Sequence, residues 1–575
     1  MTDVANDGMR AKTAAVAKKG AASQARHLDE RLGLAGGVRW LLNYIFPDHW
    51  SFMLGEIALY SFIILIITGV YLSLFFVDSG KEIIYHGSYL PLRGVKMTEA
   101  YQSTIDISFN VRAGLVMRQM HHWAAIIFIG AIGIHMCRVF FTGAFRRPRE
   151  INWTIGLTLM LLAVANGFFG YSLPDDLLSG TGLRIAYSVF ESIPIIGTWI
   201  VYWLFGGAFP GDNLFERMLV IHMFVLPLLI LGLLTAHLVI IMRQHHTQFP
   251  GKGATETNVV GTPMWPGYAA KSGGYFFMTF AVTAALAGVA QINPIWLYGP
   301  YDPYKVTTFA QPDWYIGWLE GSLRLMPNWE THLPGHMIPN AFFPGILLPG
   351  LIFNVLYAYP FIESYLTGDK TPHNLLDRPR DRPARAGFGA GMLTFFFILL
   401  IAGSDDLISV FLDTPLQLVV WVLRVLLFVA PVIVGLVTYE MCRELSKVPD
   451  GGKRKRANII VRTADGAYHS VPSEPHPADE HHELLPAPVG EADLPVLVGA
   501  AMTPGRGGPP LTAPSGTVGS TAPSGIPGVS TVTRDTPPAP RPQRGLLPGF
   551  GLRRNRRPGN GSGGNGAGGG GGTGS

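Results

Sequence analysis

Eight stretches of this chain are apolar enough, and long enough, to cross a hydrocarbon layer about 30 Å thick. They lie near residues 52–77, 116–141, 153–172, 218–242, 273–292, 341–362, 388–411 and 416–441. A soluble core could not hide so many. In lipid no water is at hand to bond a stray N–H or C=O, so each stretch must satisfy its own backbone as an α-helix. The composition agrees, with 48% of the 575 residues hydrophobic and 14% charged. The expected fold class is an all-α integral membrane protein with eight transmembrane helices.

Charge sets the orientation. With both termini on one side, the connections on that side are 142–152, 242–272 and 364–387, which hold 11 Lys and Arg against 5 Asp and Glu. The opposite-side segments 77–115, 172–217, 293–341 and 403–415 hold 8 against 16. Basic residues are retained on the cytoplasmic side, so both termini are expected in the cytoplasm of a multi-pass cell-membrane protein. The opening MTDVANDGMRAKTAAVAKKG is polar and basic, unlike a secretory signal. Residues 1–45 read as a cytoplasmic arm and 443–575 as a cytoplasmic tail. In the tail, an apolar–polar alternation flanks Asp465-Gly466 and predicts one isolated hairpin. From about 472 the chain is rich in Pro, Gly, Ser and Thr and cannot bury a core. Cys137 and Cys442 form no CxxC pattern, which argues against a disulfide or zinc framework. The net charge of +5 mostly reflects the cytoplasmic arms, and nothing in it calls for nucleic acid.

Two spans carry histidine pairs. His121 and His135 are 14 residues apart in the second span, and His222 and His237 are 15 apart in the fourth. At about 1.5 Å per residue, each pair is separated by roughly 21–22 Å along its helix. At about 100° per residue, the second member returns to within about 40–60° of the first. From a cytoplasmic N-terminus the second and fourth spans run parallel, so His121 faces His222 near the outer surface and His135 faces His237 near the cytoplasm. Two neutral imidazoles on one iron make a six-coordinate haem suited to electron transfer. Residues 46–245 are thus expected to form a four-helix dihaem bundle, and 246–442 to add four further helices.

Glycines carry the same spacing. Gly55 and Gly69 in the first span, and Gly156 and Gly170 in the third, are each 14 apart. A missing side chain lets a flat ring approach the backbone. Arg118 lies three residues before His121 and Arg138 three after His135, each displaced toward water, where a haem propionate needs a cation. His122 is rotated about 100° from His121 and is not expected to be a ligand. A transporter with structural histidines is disfavoured, because the spans show neither other paired charges nor a visible internal repeat.

The stretch HHWAAIIFIGAIGIHMCRVFFTGAFRRPREINWTIG, with GYSLP, ESIPIIG, HMFVLPLLILGLLTAH and QPDWY, resembles cytochrome b of the quinol–cytochrome c reductase (cytochrome bc) complexes. The resemblance covers about 40–442. The spacing on the fourth span and TGAFRRPRE look like the chloroplast-type branch, whereas the unbroken eight-helix chain looks mitochondrial. That mixture is similar to actinobacterial cytochrome b subunits. The resemblance implies a low-potential haem b on His121/His222 and a high-potential haem b on His135/His237. It also implies a Rieske iron–sulfur subunit, a cytochrome c subunit, a homodimer, a supercomplex with cytochrome c oxidase, and proton translocation by a Q cycle. The actinobacterial branch favours menaquinol as substrate. The chloroplast-type branch attaches a further haem through a cysteine on its first helix; the first span here has none, so no third haem is expected.

The same resemblance locates two quinone sites. In the outer connection 293–341, QPDWYIGWLEG resembles the family's Pro-Glu-Trp-Tyr motif with Asp313 in place of glutamate. Asp313 is the expected proton acceptor, Tyr315 orients the headgroup, Pro312 and Trp314 complete the motif, and Glu320 is a candidate helper in proton exit. Gly182 matches a family glycine where bulk would block the pocket. On the cytoplasmic side, Lys271 matches a family lysine, but Ser272 stands where an aspartate is expected and Met242 where a histidine is. Arg243, His245, His246, Asp48 and His49 are the remaining candidates there. A passive dihaem relay of another membrane oxidoreductase is the competing function. Such relays are typically shorter and would not need the PDWY loop or the last three spans.

Overall fold

The computed structural model describes residues 33–211, 213–305, 311–333 and 335–447, the strands at 458–462 and 468–472, and a few positions before 33. Every described residue belongs to one compact unit, Met1–Pro495. Each apolar stretch is a helix: Trp50–Ser73, Gly114–Phe141, Glu150–Ser172, Leu214–Gln244, Met264–Val289, Phe343–Thr367, Pro383–Ala402 and Leu416–Ser446. These helices are apolar around their whole circumference, as a lipid-facing helix must be. Ile66, Ile67, Val70, Leu228 and Leu231 stand exposed on the outside of the bundle, where in water they would be a liability.

The first four helices close around a dry centre. Ala58 and Phe62, Phe128 and Ala131, Leu159 and Ala163, and Ile230 pack there, one set from each helix, with Tyr315 reaching in from the outer connection. Phe62 and Phe128 stack at 5.7 Å. This plug lies between the two histidine levels, so the bundle holds one polar layer near each end and none between.

The fourth helix is not a uniform spiral. Ile221–Val225 winds as a single π-helical turn, with His222 inside it. A π turn takes up one extra residue, and such turns recur at functional sites. It reconciles the two spacings: 15 residues with one absorbed keep the histidines of the fourth helix on a common face, as 14 do on the second.

The other helices meet through small residues. A Cβ on Gly387 would lie 2.7 Å from the Gly435 carbonyl, and one on Gly391 2.9 Å from that of Pro431, so the seventh and eighth helices cross at backbone contact. The predicted span 388–411 needs correction. The seventh helix runs from Pro383 to Ala402, and a separate short helix, Asp405–Phe411, follows. The break has a cause: a Cβ on Gly403 would lie 2.5 Å from the Gly317 carbonyl, and Asp405 ties to Arg324 at 2.6 Å.

The basic connections are more than solvated charge. Arg385 is buried and bonds Asp377 and Glu363, each at 2.9 Å; Arg146 meets the same Asp377 at 3.2 Å. Arg149 donates to the His245 carbonyl and to Asn374 Oδ1, both at 2.9 Å. The TGAFRRPRE segment thereby locks the end of the fourth helix to the connection between the sixth and seventh. In the tail, Asn458–Arg462 pairs antiparallel with Tyr468–Pro472, as the hairpin reading expects. Its Asp465-Gly466 turn, the first 22 residues and the low-complexity stretch beyond 472 lie outside the described residues.

Candidate haem and quinone sites

The outer histidines face one another. The rings of His121 and His222 are 6.1 Å apart between centres, at 74°. Two metal–nitrogen bonds of about 2 Å, plus the two ring radii, come to about 6 Å. Their tautomers are set by neighbours. His222 Nδ1 lies 3.0 Å from the Asn166 carbonyl, which can only accept, so Nδ1 carries the hydrogen. Thr68 gives its hydroxyl hydrogen to the Ile64 carbonyl at 2.7 Å, so at 2.9 Å it accepts from His121 Nδ1. Both rings are left with Nε2 as a bare donor, the state a haem iron binds.

The pair lines a cavity of about 330 Å³, shared with Gly69, Gly170, Asp313 and Tyr315. At the other level His135 and His237 lie within electrostatic range of each other, with His135 Nδ1 buried and unpartnered and His237 beside the Asn152 backbone.

The glycines stand where the spacing argument needs them, though against the rings rather than at a distance. A Cβ on Gly55 would lie 3.3 Å from His135, on Gly69 3.2 Å from His121 and on Gly156 3.5 Å from His237; one on Gly170 would overlap His222. The first helix thus backs the histidines of the second, and the third backs those of the fourth. The arginines are placed at the same two levels. Arg118 lines the outer cavity with Nε buried and unpartnered, one Nη bonded to the Asn293 carbonyl at 3.1 Å. Arg138 lies 4.2 Å over Phe52, with two buried nitrogens unpartnered. A buried guanidinium with spare donors is costly unless an anion meets it. Orphaned cations, bare imidazole nitrogens and side-chain-free walls fit a propionate-bearing haem at each level.

Beside the outer cavity is a second one, of about 560 Å³, lined by Gly182, Pro312, Glu320, Arg324 and Asp406. Nothing lies within 4 Å of a Cβ on Gly182, so a larger side chain would project into the space. Pro312 lines this cavity and Asp313 the other, so the PDWY turn forms part of the wall between them. Asp313 is held by two groups: His122 Nε2 lies 2.9 Å from both its oxygens, and Tyr315 donates to Oδ2 at 3.1 Å. Trp314 turns the other way, its ring 3.6 Å from where a Cβ on Gly130 would sit.

The structure does not bring Glu320 to Asp313. Glu320 Oε1 pairs with Arg324 at 2.6 Å, Arg324 also reaches Asp405 and Asp406, and Oε2 is buried without a partner. Burial raises the Glu320 carboxyl above its ordinary value against the pull of Arg324. His122, which the sequence reading set aside as a ligand, is the residue whose contact with Asp313 that reading missed. Its only signal was an unexplained second imidazole next to His121.

The cytoplasmic candidates scatter. Lys271 pairs with Asp48 at 3.6 Å. Ser272 donates to Glu56 at 2.9 Å and meets the Tyr60 hydroxyl at 2.5 Å. His49 accepts from the Ser51 amide and is kept neutral by burial, with Arg138 and Lys271 adding to the effect. His246 is wedged against Phe46 at 4.9 Å, and burial pushes it down to about 4. His245 stacks on Tyr44 at 6.0 Å. Arg243 and His245 are exposed. Glu56 and Tyr60, which no motif marked, complete the cluster around Ser272. A lone acid within an apolar span was the available signal.

Comparison with known proteins closes the argument. The family model "Cytochrome b(N-terminal)/b6/petB" matches residues 126–300. The chain is 47% identical over 501 residues to the "Cytochrome bc1 complex cytochrome b subunit" of Streptomyces coelicolor, covering 85% of this chain and 91% of the relative. It is 47% identical over 478 residues to the protein of the same description from Mycobacterium tuberculosis, covering 82% and 86%. The solved chain "Hyperthermophilic respiratory Complex III" shares the fold, with a TM-score of 0.54 at 21% identity, over 72% of this chain and 99% of that one. An eight-helix membrane chain with one facing pair of histidines and a second pair within electrostatic range, matched along most of its length by these relatives, belongs to the cytochrome b subunits of cytochrome bc1 complexes.

Proposed function

We propose that this subunit oxidises menaquinol at the outer face. It delivers one electron to a Rieske iron–sulfur partner and the other across the membrane to a quinone at the cytoplasmic face. Protons are released outside and taken up inside, which makes the assembled complex a proton-translocating quinol–cytochrome c reductase. A cytochrome c subunit, a second copy of the chain and a cytochrome c oxidase complete the assembly. Both termini lie in the cytoplasm.

The observation that carries this reading is the pair of adjoining cavities, one lined by the facing imidazoles and the other by Gly182, Pro312 and Glu320. Two b haems, low-potential on His121/His222 and high-potential on His135/His237, with propionates on Arg118 and Arg138, would supply one-electron transfer between the faces. A cavity of about 560 Å³ is in the range that holds a ring-sized ligand. In it the free Oε2 of Glu320 accepts the proton of one quinol hydroxyl. Arg324, bonded to Oε1, then steadies the carboxylate. Asp313, whose oxygens His122 and Tyr315 fix, takes the other proton where the two cavities meet at the PDWY turn. Gly182 leaves room for the ring, and Trp314 closes the turn. On the cytoplasmic side Lys271, Ser272 and Arg243 are the groups offered to the second quinone.

The test is electron bifurcation in membranes containing the complex. With quinol present and the cytoplasmic site blocked, an oxidant pulse should cause transient extra reduction of the b haems at their α-band. Asp313→Ala should slow that reduction by about 10²-fold or more, the scale of a lost general base. If the pulse merely oxidises the haems, the subunit is a linear relay.

A further inference from the structure

A carboxylic acid inside an apolar helix needs a reason. Glu56 is the one acidic residue of the first helix, Met53–Ser73. It is only partly covered, and it lies one residue from Gly55, whose Cβ would sit 3.3 Å from the His135 ring. Its partners are all neutral: Tyr60 donates to Oε2, and Ser272 of the fifth helix donates to the same oxygen at 2.9 Å. Lys271 is the nearest cation, but it is bound at 3.6 Å to Asp48. Among the described residues, no hydrogen bond reaches Oε1.

The fifth helix is open just beyond Ser272. Ser272 is followed by Gly273 and Gly274, and nothing lies within 4 Å of a Cβ on either. Phe276, one turn on, sets its ring 5.6 Å from Tyr60, edge to face. An acid, two hydroxyls, a flat glycine surface and an aromatic wall are thus gathered between the first and fifth helices. Lys271 and Asp48, each about 35% exposed, stand at the edge toward cytoplasmic water.

We propose that Glu56, set by Tyr60 and Ser272, is the proton donor to a quinone bound between the first and fifth helices at the cytoplasmic face. This rests on the reading that quinone is reduced there. The carboxylic acid transfers its proton to one ring oxygen, and the opposite oxygen takes a proton from cytoplasmic water. With one electron carried from each of two outer quinols in turn, quinone becomes quinol. The Glu56 carboxylate then regains a proton from water at the Lys271–Asp48 edge. The hydroxyls of Tyr60 and Ser272 hold the charge meanwhile.

The experiment need not depend on bifurcation. Membranes containing the complex, with the outer cavity filled by Gly182→Trp, are reduced chemically and mixed without oxygen with a menaquinone analogue. Re-oxidation of the b-haem α-band is followed. Glu56→Gln keeps the shape and hydrogen-bonding reach and should slow re-oxidation by about 10²-fold, the scale of a lost general acid. Ser272→Asp in the Glu56→Gln background sets a carboxyl close to the lost one and should restore much of the rate. Unchanged re-oxidation in Glu56→Gln overturns the proposal. So does loss of the haem signal itself in that variant, or a double variant no faster than the single one, since either makes Glu56 a packing residue. A wild type that re-oxidises normally here, yet shows no oxidant-induced reduction, would instead sink the bifurcating function.

Discussion

Replacing Gly170 with alanine should remove the outer haem and spare the inner one. The helix backbone there is packed against the imidazole of His222, and a Cβ would lie 2.8 Å from Nδ1 and 2.9 Å from Nε2. Cε1 would be closer still, and ordinary contact begins near 3.4 Å, so the ring would have to retreat by about 1 Å. It cannot retreat freely, because Nδ1 is bonded to the Asn166 carbonyl at 3.0 Å and Nε2 is the atom offered to a haem iron. Overpacking costs about 1–3 kcal/mol, and orphaning a buried hydrogen bond about 1–3 more. The sum, about 2–6 kcal/mol, corresponds to haem retention roughly 30-fold to 10⁴-fold weaker. The four glycines give an internal scale. Gly156→Ala meets His237 at 3.5 Å, ordinary contact, and should keep both haems, while Gly55→Ala and Gly69→Ala, at 3.3 and 3.2 Å, should fall between. The assay is the haem-to-protein ratio of purified complex, with a potentiometric titration of the α-band to identify which component is missing. Two full haems in Gly170→Ala, or loss of one in Gly156→Ala, would refute the reasoning from ring contact.

Other expectations follow from the same geometry. Gly182→Val should raise the KM for quinol at least tenfold while leaving the b-haem spectrum unchanged, because the side chain enters the second cavity and not the first; this is read by steady-state kinetics. Asp175, buried on the outer side and bonded by Thr98 at 2.8 Å, is raised by burial to about 7 from 3.8. Its folded form holds a proton that the unfolded form has lost between about pH 4 and 7, so this residue's contribution to stability declines as pH rises through that window. Thermal loss of the α-band measured from pH 5 to 8 should show that decline in the wild type and a flatter profile in Asp175→Asn. Arg385→Leu strands Glu363, while Asp377 keeps Arg146 and Arg382, and should cost about 3 kcal/mol, seen as loss of assembled subunit from membranes or a lowered Tm.

Much of the fold was legible because lipid removes alternatives. An apolar stretch of about 20 residues has one way to satisfy its backbone, so the helices could be counted from hydropathy alone. The histidines were legible for a related reason: spacing along a helix fixes both distance and face. Where the inference slipped, contacts across the chain decided. The span drawn through 388–411 ended early because Gly403 meets the Gly317 backbone and Asp405 meets Arg324, neither of which hydropathy registers. The 15-residue spacing, read as returning to within about 40–60° of one face, is brought closer to the 14-residue one by a π turn at Ile221–Val225.

The quinone sites divide along the same line. Asp313, Tyr315 and Gly182 could be singled out from a motif, yet the motif could not say that Asp313 would be held by His122, 191 residues away in the chain, or that Glu320 would turn to Arg324 and away from it. Nor could it join Glu56 to Ser272 across 216 residues. The sequence by itself determined how many helices cross the membrane, the separation of the histidines along them, and which chemical groups are within the bilayer, because these depend on local backbone bonding and on transfer from water to lipid. Tertiary structure alone decided which polar groups share a partner. A buried donor or acceptor must find its complement wherever the packing of distant helices happens to bring one within about 3 Å.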